Sequence, residues 1–382
     1  MINGDPSEYA RRILLVAAGL TPQVVTETFY ARAVAAAHPW IPTEVRLATT
    51  REGADRARLM LLGDDQKWLK RLLDEYQLPP AVFNPGMIVV LEDSQGQALD
   101  DIRSAEDNQH AADGITELIR ELTEDDEGAL HVSIAGGRKT IGFFLGYAIS
   151  LYGRAQDRLS HVLVSPPFES HPSFFFPTRK SHVIYTAPPD SRPLDTSTAK
   201  VTLADIPFVR LRHGLPESLL SGRTSFIEAV EAAQRSLGPP ELIVDLIRNE
   251  AKGGGISLRL CPGDLAFYAM FARRAVEARE PLACPPPEYG DASLAEEYLR
   301  EYRLIIGDSS DDSRTAYALR HGMDKDFFLQ HKSRVHALLR KVLGAQAEVY
   351  RIHATSQRPN TKYGLRLRSD QVRIVSSGEK LQ

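Results

Sequence analysis

The chain has 382 residues, two cysteines and a formal net charge of −4 at neutral pH. That length favours two domains, and Cys261 and Cys284, without a CxxC or a histidine pair at zinc-ligand spacing, exclude a disulfide framework and argue against structural zinc. No apolar run reaches the roughly 20 residues of a membrane-spanning helix, and MINGDPSEYARR lacks the regions of a signal peptide, so no membrane association and a cytoplasmic location are expected.

Residues 12–18 (RILLVAA) form an apolar, strand-like run that closes on Gly19. Thr21 and Pro22 then read as an N-cap and a proline at the first helical position. The helix they open continues through Gln23, Thr26, Glu27 and Tyr30 to about residue 37. A second strand is predicted at 44–49, with helices at 53–62 and 65–76, and a third strand at 87–91 (MIVVL). Helical spacing returns over 107–122 at Ile115, Leu118, Ile119 and Leu122. The fourth strand is 130–134, its helix 141–152, and the fifth strand 161–164. Apolar strands alternating with helices point to a parallel α/β sheet. In Rossmann-type order strands one and four are neighbours at the topological switch point, where open sheets bind ligands.

The loop between the fourth strand and its helix is rich in glycine and cation: HVSIAGGRKT over 131–140. Gly136 and Gly137 permit positive φ and close approach by a ligand. Arg138 and Lys139 at a helix start oppose the helix dipole, and a bound phosphate would compensate them. The same residues also suit a plain strand–turn–helix connection with its cations in water. Neither common phosphate motif is present: Ser133 and Arg138 occupy the two glycine positions of a Walker A loop, and no GxGxxG occurs.

Further on, 174–176 and 183–185 flank a polar turn at 178–181, as a hairpin would, with its Phe cluster in the core or on a dimer surface. Residues 187–198 (APPDSRPLDTST) read as a linker, dividing a domain at 1–186 from one at 201–382, with 187–200 between them. The second domain is predicted to hold helices at 225–236, 240–249, 262–278, 293–302 and 326–343, a glycine turn at 252–255 and a short strand at 256–260. Residues 348–354 and 363–367 then alternate around a polar turn at 356–361 as a basic hairpin. Between Arg314 and Arg373 thirteen Lys and Arg face four Asp and Glu, with four histidines in addition. Such asymmetry suits an anionic partner, an interface or a solvated helix face. The fold class expected is therefore α/β: an N-terminal Rossmann-like parallel sheet, then a mostly helical domain for which a winged helix-turn-helix is one reading.

Residues 14–31 (LLVAAGLTPQVVTETFYA) and 133–140 (SIAGGRKT), with Asp100-Asp101-Ile102-Arg103 between them, resemble the CRISPR-associated Rossmann fold (CARF) family over about residues 10–186. The resemblance implies a homodimer that binds a cyclic oligoadenylate made by a type III CRISPR complex. Some members control an attached effector, and others cleave the ring and switch the antiviral signal off. Carried over by motif, Gly19, Leu20, Thr21 and Gln23 would line the ligand from the first loop. Ala135, Gly136, Gly137, Arg138, Lys139 and Thr140 would do so from the second.

A cyclic tetranucleotide has two-fold symmetry, so an isologous dimer can offer one loop to opposite phosphates. Ring cleavage needs neither metal nor cofactor: the ribose 2′-OH attacks the adjacent phosphorus in line and leaves a 2′,3′-cyclic phosphate. The protein must hold that geometry and stabilise the phosphorane oxygens. Lys139 or Arg138 suits the second role, and Thr21 or Gln23 could orient the hydroxyl. Neither loop carries a His or a carboxylate as general base. The primary expectation is a ring nuclease acting on cyclic tetra-adenylate. The alternatives are a sensor coupled to DNA binding through a winged helix, with nucleic acid at the basic region, and a ligand-activated HEPN-type ribonuclease using Arg314 and His321. Their spacing is that of a HEPN motif, although it also places both on one helical face by period alone.

Overall fold

The computed structural model describes residues 4–212, 215, 217–307, 313–355 and 361–376. Two compact units divide the chain, residues 1–212 with 220–230 and residues 213–219 with 231–382.

The first unit is built on β1 (Arg11–Ala17), β2 (Glu44–Thr49), β3 (Ile88–Val90), β4 (Gly128–Ser133), β5 (Arg158–Val164) and β8 (Val201–Asp205), in the order β3-β2-β1-β4-β5-β8. All pairs are parallel except β5 with β8. Every residue of β4 and the last five of β1 are buried, which is why both strands read as continuous apolar runs. The chain works outward from β1 to β3, then returns to place β4 beside β1, with Val16 opposite Ser133. The switch point therefore lies between the two loops singled out in the sequence.

The helices follow the predicted pattern: α1 (Gln23–Tyr30), α2 (Arg51–Ala57), α3 (Trp68–Tyr76), α4 (Ala105–Leu122) and α5 (Lys139–Tyr152). α1 and α2 each run on into a π-helical turn, Ala31–Ala35 and Arg58–Leu62. Ser104 and Asp107 close a capping box at the start of α4. Pro22, not Thr21, is the N-cap of α1, without a side-chain cap bond.

Two readings beyond β5 need correction. Phe174, Phe175 and Phe176 form no strand; all three are buried, with Phe175 stacked on Trp68 at 4.4 Å between ring centres. The strand β6 (Val183–Tyr185) pairs instead with β7 (Pro193–Asp195), inside the stretch read as a linker. β8 then covers the β5 edge, so the first unit continues past residue 186. Three-residue strands flanked by Pro, Ser and Asp leave no period to read.

α6 (Glu217–Ser221) and α7 (Phe226–Leu237) follow. The second unit holds a four-stranded sheet, β11-β10-β9-β15, that the sequence reading lacked. Its strands are β9 (Leu242–Asp245), β10 (Glu250–Gly253), β11 (Ile256–Leu258) and β15 (Val372–Val375). β9 falls where a helix at 240–249 was predicted. Short apolar runs are ambiguous between the two states, and pairing with β10 and β15 decides for strand.

The helices here are α8 (Pro262–Val276), α9 (Ala292–Ile306), α10 (Ser313–Ala318), α11 (Lys325–Leu343) and α12 (Ala347–Tyr350). α8 is the core helix, with Leu265 through Ala272 all buried. A second sheet has the order β12-β14-β13, from β12 (Leu282–Ala283), β13 (His353–Ala354) and β14 (Lys362–Gly364). The basic hairpin is thus shorter than its alternation implied, because residues 347–350 are helical. Residues 356–360 of its expected turn lie outside the described residues. α10 ends at Ala318, leaving His321 beyond it in a turn. Arg314 and His321 therefore share no helical face.

Candidate ligand-binding cleft

The two loops meet as the strand order requires. A Cβ built on Gly19 would lie 3.5 Å from the Cα of Gly137. A Cβ on Gly136 would sit 2.6 Å from the Ala17 carbonyl oxygen and 3.0 Å from Val24 Cγ2, and Gly137 has φ +85°. Both positions are closed to other residues, the first by contact and the second by backbone conformation. The turn then throws Gly137, Arg138, Lys139 and Thr140 outward, all exposed.

α5 begins at Lys139 with Arg138 as an N-cap that makes no side-chain cap bond. The Ile141 N–H donates to the Arg138 carbonyl at 2.9 Å, which leaves the Lys139 and Thr140 amides to face an anion. The two cations differ in availability. Arg138 Nε donates to Asp101 Oδ1 at 3.0 Å, and a second bond joins Arg138 Nη2 to Asp101 Oδ2. Asp101 also accepts from Arg103 Nε at 3.2 Å. The Arg138 bond, foremost, holds the Asp101 carboxyl well below the usual carboxylate range. Arg138 thus starts out neutralised, whereas Lys139 has no side-chain partner among the described residues.

From the first loop, Leu20 is 45% exposed and Thr21 is exposed, but Gln23 is buried. Gln23 Nε2 donates to the Pro172 carbonyl at 2.8 Å, and Thr26 Oγ1 donates to the Phe175 carbonyl at 2.7 Å. These bonds fasten α1 to the segment after β5. Between them lies a cavity of about 120 Å³, lined by Thr21, Gln23, Glu27 and Ala135 and faced by residues 161–164 and 169–171. Gln23 Oε1 is buried there with no hydrogen-bond partner. Burial, reinforced by the Glu169 charge, pushes the Glu27 carboxyl up to about 8. The loops offer no carboxylate, yet Glu27, one turn into α1, brings one to their edge. Its place four residues after Gln23 was the available signal.

His131, which opens the glycine-loop stretch, is a β4 core residue. Its Nε2 bonds Ser160 Oγ at 2.7 Å, and burial pushes its imidazole down to about 3. It takes no part in the cleft.

The family model described as CRISPR-associated protein NE0113 matches residues 21–239. That is more than half of the chain. The chain belongs to this CRISPR-associated family. The matched span starts at Thr21, after β1 and Gly19, and contains the glycine turn, Asp101 and the other five strands of the sheet. No curated protein matches. Among solved structures the chain is similar to Enterococcus italicus Csm6 bound to cyclic hexa-2′-fluoro-hexa-dAMP, at 15% identity and a TM-score of 0.24. That similarity covers 41% of this chain and 34% of the Csm6 chain, so it spans about a third of that protein's length. Among the described residues, no helix is long and apolar enough to cross a membrane.

The raised carboxyl of Glu27 has a consequence for this family member's stability. A group held above its unfolded value adds stability in acid that is lost as pH rises through about 8. Relative to the Glu27→Gln variant, the parent's melting midpoint should therefore fall by roughly 5 °C between pH 5 and pH 9. Parallel curves for the two proteins, followed by circular dichroism, would contradict the assignment.

Proposed function

We propose that this protein binds a cyclic oligoadenylate, with cyclic tetra-adenylate as first candidate, at the joined loops of β1 and β4 in a homodimer. Cleaving that ring would switch off type III CRISPR signalling. The observation that carries the reading is the pairing of the Gly19 loop with a helix start that has no side-chain cap bond and whose first residue, Lys139, has no side-chain partner among the described residues. Two such loops, one per protomer, suit a ligand with two-fold symmetry. Lys139 and the α5 amides would stabilise charge on the phosphorane oxygens. Thr21 would orient the attacking 2′-OH. Gln23 is turned inward, away from the reacting phosphate, and Arg138 is held by Asp101, so neither is assigned to the chemical step.

Incubation with cyclic tetra- and hexa-adenylate in chelator, followed by product analysis, tests the reaction. A linear product ending in a 2′,3′-cyclic phosphate is expected; intact rings would leave binding alone. Lys139→Ala should weaken binding by about 1.5–3 kcal/mol, roughly ten- to a hundredfold. Equal affinities at low and high salt would remove Lys139 from the site.

A specific observation favours nucleic-acid contact in the second unit. β12 lies between α8 and α9, the β13–β14 pair follows α11, and the sheet order is β12-β14-β13. A winged helix has this arrangement, with α11 in the recognition position. Arg334, Arg340 and Lys341 are exposed on α11, as is Arg366 beyond β14. Arg368 is paired with Asp370, and His331, His336 and His353 are buried, so the outward charge is narrower than the composition implied. Arg334→Glu combined with Arg366→Glu should abolish duplex DNA binding, and either change alone should lower the slope of log K against log salt by about one. Unaltered binding by the double variant would restrict the unit to a structural role.

A further inference from the structure

The cavity behind the first loop contains two buried groups that no intramolecular contact explains. Gln23 is 6% exposed, and its Oε1 has no partner. Glu27 is 7% exposed, and its carboxyl has no hydrogen-bonding partner among the described residues. A buried acceptor left without a donor is costly, so a ligand group that satisfies Gln23 Oε1 has an advantage. Thr21 and Ala135 line the same cavity and belong to the ligand loops, so it opens on the cleft.

We infer that this cavity is a base-recognition subsite, in which Gln23 and Glu27 read the amine-bearing edge of an adenine. The inference rests on the reading of the cleft as a cyclic-nucleotide site and names what selects its base. Adenine presents an N6 amine donor beside the N7 acceptor. A neutral carboxyl offers a carbonyl acceptor and an O–H donor on one plane, and it matches that edge in two bonds. Gln23 Oε1 takes the second hydrogen of the amine. A purine with a 6-oxo group has acceptors at both places and leaves Gln23 Oε1 facing another acceptor. That mismatch is the source of selectivity.

Burial keeps the Glu27 carboxyl protonated at neutral pH, with its midpoint at about 8. The titratable groups that face it are His161 from β5 and Glu169 and His171 from the following loop. His171 is committed elsewhere, accepting the Ser173 N–H at Nδ1 and facing the Tyr185 carbonyl through Nε2. Once ionised, Glu27 could only accept, and it would confront the ring nitrogen with a lone pair. Adenine binding should therefore weaken as pH rises from 7 to 9. A glutamine at position 27 has the same donor and acceptor pair without the titration.

The test measures affinity for cyclic tetra-adenylate and cyclic tetra-inosinate by titration calorimetry at pH 7 and pH 9. The parent should prefer the adenine ring at least tenfold at pH 7 and lose most of that preference at pH 9. Gln23→Leu and Glu27→Leu should bring the two rings to near-equal affinity. Glu27→Gln should restore the preference and make it independent of pH. This last arm decides the matter even where a leucine variant does not fold. Equal affinity of the parent for both rings, or a pH dependence that persists in Glu27→Gln, overturns the subsite alone. Failure of the parent to bind either ring overturns the cyclic-nucleotide reading itself.

Discussion

The first unit depends on how closely the ends of β1 and β4 can approach. Gly136 passes so near the Ala17 carbonyl that even a methyl group would collide with it, and Gly137 turns the chain through a positive φ. Without that contact the second loop would have to rise away from the first. With it, two loops more than a hundred residues apart in sequence share one surface at the switch point of the sheet. The buried, two-sided strands make the approach stable, since β1 and β4 have no other face to present.

Charge at this surface is graded. Asp101, delivered by the loop before α4, takes up Arg138 in two bonds and leaves Lys139 as the available cation. A fixed Arg–Asp pair beside a lysine without a partner among the described residues separates shape from charge: the pair holds the turn, and the ammonium is left for the proposed anion. The open amides of α5 add partial positive charge at the same place. Behind them, α1 is tied by Gln23 and Thr26 to the segment after β5. Those two bonds turn Gln23 inward, away from the phosphate side of the cleft and towards Glu27.

The second unit illustrates how composition overstates a surface. Its basic stretch counts four histidines, but His336 accepts the Ile352 N–H at 3.1 Å and His331 bonds Asp264 at 2.6 Å. Both are core groups, and burial pushes the His336 imidazole down to about 4. The outward charge is left to arginines and lysines, among them Arg314, Arg320, Arg334, Arg340, Lys341, Lys362 and Arg366.

By itself the sequence determined what depends on local pattern. The alternation of strands and helices through residue 164, the glycine turn and the cations at the start of α5 could all be read from spacing. Resemblance added the family, which the match over residues 21–239 bears out. Tertiary structure decided whatever depends on a partner distant in the chain. Leu242–Asp245 became a strand because β10 and β15 pair with it, and Pro193–Asp195 left the linker because β6 is beside it. The roles of Arg138, Gln23 and Glu27 were decided in the same way. Asp101 occupies the first, Pro172 turns the second inward, and burial between α1 and β5 sets the protonation of the third. Periodicity records which face of an element is apolar; it holds no information about which polar group the fold will bring to meet another.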